Sequence, residues 1–157
     1  MKKITILLLL LLGTIPSSFA QLKTYTFEEA FDASKENPKS IVVFVHTNWC
    51  KYCKMMDNST FKNTELIATL NKDFYFVKFD GETKENITIN HHVYKYVPRG
   101  RNTGTHELAA AIATIDGQIT YPTLVVLEDE ATILFQKSSY LNAKTVHNIL
   151  LQTKKAN

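Results

Sequence analysis

The hydrophobic pattern divides the chain into short blocks whose period switches between that of a helix and that of a strand. Phe27, Ala30 and Phe31 share one helical face behind a Thr26–Glu29 capping box, so a helix is expected over 27 to 36, stopped by Asn37 and Pro38. Ahead of it, "LKTYT" has room for a short strand. "SIVVFVH", 40 to 46, is continuously apolar and β-branched, the pattern of a strand buried on both faces at the centre of a covered sheet. After the polar "TNWC" a helical stretch runs through Lys54, Met55 and Met56 and breaks at "DNST". Asn63 can cap a second one, with Leu66, Ile67 and Leu70 on its inner face. "FYFVKFD", 74 to 80, is another strand; "TLVVLED" and "TILFQK" are two more, joined by an acidic turn at Asp129 and Glu130. The last helix, 142 to 153, starts at Asn142, buries Val146, Ile149 and Leu150, and ends in Lys154 and Lys155, cations suited to its negative end.

Between Asp80 and Pro122 lies a long segment. "NITINHHVYKYV" has apolar residues at 87, 89, 93 and 97, roughly a period of two, so an extra strand or hairpin is expected. "PRGRNTGT" reads as loop, and "HELAAAIATIDG" as a helix ended by Asp116–Gly117. The order β-α-β-α-β, long segment, α-β-β-α describes an α/β domain: a mixed sheet with helices on both faces. If strands 41 to 46 and 74 to 80 run parallel, their carboxyl ends share one edge, and the insertion, 83 to 104, leaves from it. Tyr94, Tyr96, Arg99 and Arg101 then either select a substrate or cover a sheet edge.

Composition adjusts this picture at the N-terminus. Lys2 and Lys3 precede an apolar run from 4 to 12, and Ser18 and Ala20 occupy small-residue cleavage positions, so residues 1–20 read as a signal peptide and 21–157 as one domain. The run is short for a membrane span, no membrane insertion is expected after cleavage, and the lysine-led leader suggests bacterial export to the periplasm or the exterior. The mature part then carries 16 basic and 15 acidic residues, a near-neutral balance that gives no reason to expect nucleic acid as a partner. Sequons at Asn58 and Asn86 would matter only in a eukaryotic secretory pathway.

The candidate chemistry lies in "HTNWCKYCKMMD", which holds both cysteines. Cys50 falls where a buried strand gives way to a helix, so unpaired N–H groups and the helix dipole favour its thiolate, with Lys51 and Lys54 adding positive charge. Cys53 follows on the same side of the first turn, close enough to resolve a bond made by Cys50. Two other readings compete. An inert staple across so small a loop removes little chain entropy, and a zinc site would need His91 and His92 to complete the two ligands of a single CxxC.

"IVVFVH", the "WCKYC" at the helix start, "YPT" and the continuation "CKMMDNSTFKNTELIATLNKDFYFVKFD" resemble the thioredoxin superfamily, and exported bacterial thioredoxin-like proteins with a W-C-x-x-C-K motif in particular. The resemblance covers about 26 to 153 and implies a thioredoxin fold with an insertion between the third strand and the helix before a cis-proline. It further implies a Cys50/Cys53 dithiol–disulfide couple, a cis bond at Pro122 packed against it, and Tyr121 on the binding surface. Trp49 is either a core aromatic or the rim of the site, and Tyr52, between the cysteines, tunes the potential together with Lys51. His46 is either a buried, hydrogen-bonded residue or a tuner of the sulfurs. The implied activity is thiol–disulfide exchange on exported proteins, leaning to reduction or disulfide maintenance, with a membrane-side redox partner and neither metal nor organic cofactor. One departure stands out: Phe44 occupies the position of the buried acid of thioredoxin. That departure and the insertion favour the competing reading, a low-turnover binding or scaffold protein; a metal carrier is the third.

Overall fold

A run of five residues with no solvent exposure, Ile41 to Val45, organises the molecule. The computed structural model describes residues 21–130 and 132–154, so the predicted signal peptide and Lys155 lie outside the described residues. Strand β1 (Ile41–His46) pairs in parallel with β2 (Tyr75–Asp80) and antiparallel with β9 (Thr123–Leu127), which pairs antiparallel with β10 (Ile133–Ser138). The resulting mixed sheet has the order β10-β9-β1-β2.

Alternate residues of β1 face opposite layers, and each layer has its own core. Ile41, Val43 and Val45 pack with Phe27, Ala30 and Phe31 of α1 (Phe27–Glu36) and Leu108 and Ile112 of α4 (Glu107–Ala113). Val42 and Phe44 pack on the other side with Met56 of α2 (Lys51–Asn58), Leu66 and Leu70 of α3 (Thr64–Asp73), and Val146 and Leu150 of α5 (Ala143–Thr153). The helix starts follow the expected caps. Thr26 and Glu29 close the capping box, and the side chains of Asn63 and Asn142 accept from Leu66 N and Thr145 N. Helix α2 runs through to Asn58 before a 3-10 turn at Thr60–Lys62.

Three stretches differ from expectation. "LKTYT" makes only a bridge, Tyr25 to Val77, because α1 is capped at Thr26 and leaves one residue free to pair. The helix expected to reach Asp116–Gly117 ends at Ala113: β7 (Thr114–Ile115) and β8 (Gln118–Ile119) form a hairpin around those two residues, both at positive φ. An Asp-Gly turn flanked by β-branched residues outweighs one more helical turn, and Gln136 Nε2 donates to the carbonyls of Ile112 (2.8 Å) and Thr114 (3.1 Å) at the helix end. The insertion contains two hairpins. β3 (Ile87–Ile89) and β4 (His92–Tyr94) turn at Asn90 and His91, both at positive φ. β5 (Tyr96–Pro98) and β6 (Gly104–His106) take in both ends of the expected "PRGRNTGT" loop. At the chain's end Ile149 is half-buried, and Lys154 pairs with Asp73 (2.9 Å).

Buried polar groups are mostly satisfied. The Thr60 hydroxyl donates to Leu141 O at 2.7 Å, tying the 3-10 turn to the start of α5. His106, fully buried, caps α4: its Nδ1 accepts from Leu108 N at 3.2 Å while Nε2 lies 3.1 Å from Glu85 O. That pair of contacts selects the neutral ring with its proton on Nε2. Burial lowers its pKa, against the opposing pull of Glu85 O and the Glu107 carboxylate. The Thr47 hydroxyl is the exception among the described residues, buried with no hydrogen-bond partner.

Two outcomes follow from these groups. Thr60→Val strands a buried carbonyl and lowers stability by about 1–3 kcal/mol in urea unfolding, whereas Thr47→Val, which removes an unpaired hydroxyl, leaves it unchanged or higher. His106, and His46, whose pKa burial also lowers, are neutral in the fold and take up protons more readily when unfolded. Their contribution is therefore complete above pH ~6.5 and is lost as the pH falls toward their folded values. His106→Asn, which keeps a capping oxygen, lowers stability near neutrality but flattens that acid slope, read by unfolding at a series of pH values.

Candidate active site

The carboxyl ends of β1 and β2 and the start of β9 meet at one edge of the sheet. The register pairs Val45 with Thr123 and His46 with Asp80, so Pro122 comes abreast of His46, at the edge where the chain leaves β1 toward the cysteines. The chain turns from β1 through Thr47–Trp49, and Cys50 N donates to Thr47 O at 3.3 Å. Cys50 is the N-cap of α2, and its Sγ accepts the Cys53 N–H at 3.1 Å. The two cysteines are joined in a disulfide with Cα atoms 5.2 Å apart. Cys50 is 4% exposed and Cys53 1%, so both are buried and the first is the less completely covered. Helix N–H groups aimed at Sγ favour its anion when the bond opens.

The Tyr121–Pro122 bond is cis, and Pro122 opens β9 directly, as the resemblance implied. The Tyr121 ring lies against Gly81, where a Cβ would stand 2.6 Å from its Oη; glycine is needed there for close approach. Burial, reinforced by the carboxylates of Glu82 and Asp80, pushes the Tyr121 hydroxyl up to about 12, so it stays protonated at any working pH. Trp49 meets that ring edge-on, centroids 6.0 Å apart, and donates from Nε1 to Glu82 Oε2 at 3.0 Å. With 64% of its surface exposed, Trp49 is rim, which decides between its two readings. Tyr52 and Met55 are exposed beside it on α2, as are Lys51 and Lys54.

His46 is half-buried, with its ring 5.6 Å from that of Phe44. Burial, then the Lys78 cation, lowers its pKa against the pull of Asp80, Asp57 and the Thr47 backbone. Phe44 is fully buried against Phe61, centroids 4.7 Å apart. Its partner across the β1–β2 pair is Lys78, whose Nζ lies 2.6 Å from Asp57 Oδ2. Asp57 stands four residues after Cys53 on α2 and therefore on the same helix face. Sequence reasoning passed over this carboxylate, although the i, i+4 spacing in "CKMMD" was the signal for it. It also passed over Glu82, for which no local signal exists because the pairing with Trp49 spans two loops.

Of the four insertion residues singled out, one reaches the site. Arg99 lines a cleft of about 470 Å³ together with Trp49, Glu82, Thr103, Thr120 and Tyr121. Tyr94 packs on the α1-side core, Tyr96 lies against Gly104, and Arg101 is exposed in the hairpin loop. His91 and His92 sit at the turn of β3–β4, whose Ile89 belongs to the α1-side core, whereas the cysteines belong to the opposite one. Among the described residues no group of three His, Cys, Asp or Glu side chains is placed to hold a metal ion.

Comparison with known proteins agrees with this geometry. A 60-residue stretch is 35% identical to human spermatogenesis-associated protein 20; it covers 38% of this chain but only 8% of that protein. The solved structure of DsbH oxidoreductase is 22% identical, covers 88% of this chain and 89% of its own, and superposes with a TM-score of 0.61. A thioredoxin from Thermus thermophilus, 18% identical over 85% of this chain and 87% of its own, gives 0.60. At such identities the two structures speak to the fold alone. The family profile described as thioredoxin-like domain matches residues 27–154, nearly the whole described chain, and with it the chain belongs to the thioredoxin-like domain family.

Proposed function

We propose that the protein is a thiol–disulfide oxidoreductase whose redox couple is Cys50 and Cys53, acting on disulfides of exported proteins. The observation that carries this reading is the placement of the Cys50 sulfur: at a helix N-cap, accepting a backbone N–H, at the same sheet edge as a cis-proline. In the reductive direction the Cys50 thiolate attacks one sulfur of a substrate disulfide; that S–S bond breaks, one substrate thiolate leaves, and a mixed disulfide joins Cys50 to the other. The Cys53 thiolate then attacks Cys50 Sγ and releases the second substrate thiol. The substrate gains two electrons, the protein becomes the disulfide form, and a thiol donor at the membrane must reduce it again.

The resemblance of the cysteine motif and its surroundings to thioredoxin-like proteins supports reduction or disulfide maintenance as the working direction, and the leader-like pattern of residues 1–20 supports export. Low turnover, as a binding protein, is the second reading, and Phe44 favours it: the residue facing the Cys53 layer from β1 has no proton to give or take. Asp57, held by Lys78, is the carboxylate that can take over part of that duty from the helix itself.

Exchange with a peptide disulfide is lost in Cys50→Ser, while Cys53→Ala retains the first step and stops at the mixed disulfide. Non-reducing electrophoresis of extracts incubated with Cys53→Ala should reveal these adducts; recovering none from exported proteins would leave only the binding reading. Asp57→Asn removes an anion near Cys53 and frees the Lys78 cation, and both changes favour a thiolate. The Cys53 thiol of the reduced protein should then titrate at a lower pH, followed by ultraviolet thiolate absorbance in a Cys50→Ser background. An unchanged or higher value would show that Asp57 does not act on the pair.

A further inference from the structure

The insertion adds a wall to the active-site edge, and that wall carries one charge aimed at the cleft. Hairpin β5–β6 is held by several close contacts. The Tyr96 ring lies on the Cα of Gly104, and the N–H groups of Arg99 and Gly100 both donate to Thr103 O, at 2.8 and 3.2 Å. His106 N donates to Gly81 O at 2.9 Å, and Glu107 N to Lys95 O at 2.8 Å. The hairpin is thereby anchored to the loop after β2 that also carries Glu82. Arg99 lines the cleft opposite Trp49 and Tyr121, the two aromatic rings flanking the cysteine pair and the cis-proline.

The charges around this cleft are unequally engaged. Glu82 accepts from Trp49 Nε1, and Asp80 accepts from Asn48 Nδ2 at 3.1 Å and from Glu82 N at 3.0 Å. The Arg99 guanidinium has no ion pair or side-chain hydrogen bond among the described residues, nor do the ammonium groups of Lys51 and Lys54 on the other side of Trp49. Glu82 and Asp80 keep their negative charge while accepting these neutral donors, so Arg99 is the cation of the cleft that has no ion pair of its own among the described residues and is open to an anion of an incoming chain. A guanidinium in a partly enclosed cleft is the group best suited to a carboxylate, which it can grip with two parallel N–H bonds.

We propose that this cleft seats the chain flanking a substrate cysteine and that Arg99 selects substrates with an aspartate or glutamate there. The occupant is an extended, disulfide-bonded polypeptide segment; its cysteine sulfur meets Cys50 while its acidic side chain pairs with Arg99. The inference rests on the exchange reading above and names the substrate class for that same site.

Pre-reduced protein should be mixed with synthetic symmetrical peptide disulfides whose cysteine is flanked by glutamate, by glutamine or by lysine, and single-turnover rates followed by the change in Trp49 fluorescence or by quenched chromatography. Each rate is divided by that of dithiothreitol with the same peptide, which removes the effect of flanking charge on the leaving thiol. Electrons balance within the mixture: one dithiol becomes a disulfide and one peptide disulfide becomes two thiols. The normalised rate should be about fivefold higher for the glutamate peptide than for the glutamine one, lowest for lysine, and the preference should shrink with added salt. Arg99→Gln should collapse the ratio to near one, Arg99→Lys should keep part of it, and Arg101→Gln, outside the cleft, should keep it whole. Equal normalised rates in the wild type, a preference for the lysine peptide, or a ratio that survives Arg99→Gln would overturn the selectivity and leave the exchange activity standing. No reaction with any of the three peptides would overturn the exchange reading, and this inference with it.

Discussion

Everything in the molecule is arranged around a strand that has no surface of its own. With β1 covered on both faces and paired along both edges, its backbone is satisfied by β2 and β9 and its side chains by two separate cores. No functional group can be placed within such a strand without a large desolvation cost. Polar chemistry is therefore displaced to its carboxyl end, where His46, Thr47 and Cys50 emerge in sequence. Because β2 runs parallel and β9 antiparallel, the same edge receives the end of β2, with Asp80, Gly81 and Glu82, and the start of β9, with Tyr121 and Pro122. The topology gathers the site, and the helix that begins there supplies the field.

The parts legible in the sequence are those whose cause is local. The all-apolar "IVVFV" run could only be a central strand, the Thr26, Asn63 and Asn142 caps fixed three helix starts, and the CxxC spacing placed both sulfurs on the first turn of a helix. What escaped depends on competition or on distance. At Thr114–Ile119 two local signals conflicted, helical periodicity and an Asp-Gly turn, and the turn won with Gln136 of β10 donating to the Ile112 and Thr114 carbonyls. Trp49 could not be assigned to core or rim from its neighbours, since its place is decided by Glu82 and Tyr121, residues contributed by two other loops. The cis bond at Pro122 had no local cause at all and came only through resemblance.

The loss of a buried acid at Phe44 shows how the two cores constrain the chemistry. Phe44 fits between Phe61 and the His46 ring and contributes to the same cluster that covers Cys53, so packing gains where proton transfer loses. Its strand partner Lys78 would be an unmatched cation without Asp57. The pair thus places a partly solvated carboxylate on the helix that bears the cysteines rather than in the strand interior. The central strand is thus apolar from Ile41 to Val45, with the nearest carboxylate on the neighbouring helix.

The insertion extends the same logic outward. The long connection between β2 and β9 adds hairpins to the sheet rather than loose chain. Positive-φ turns at Asn90–His91 and a glycine under Tyr96 keep those hairpins short. The β3–β4 hairpin adds Ile89 to the α1-side core. The β5–β6 hairpin, pinned through His106 to Gly81, is left free to present its loop side to the cleft. One hairpin is committed to packing and the other to the rim, and that division explains why only Arg99 among the insertion's aromatic and basic residues comes to face the site.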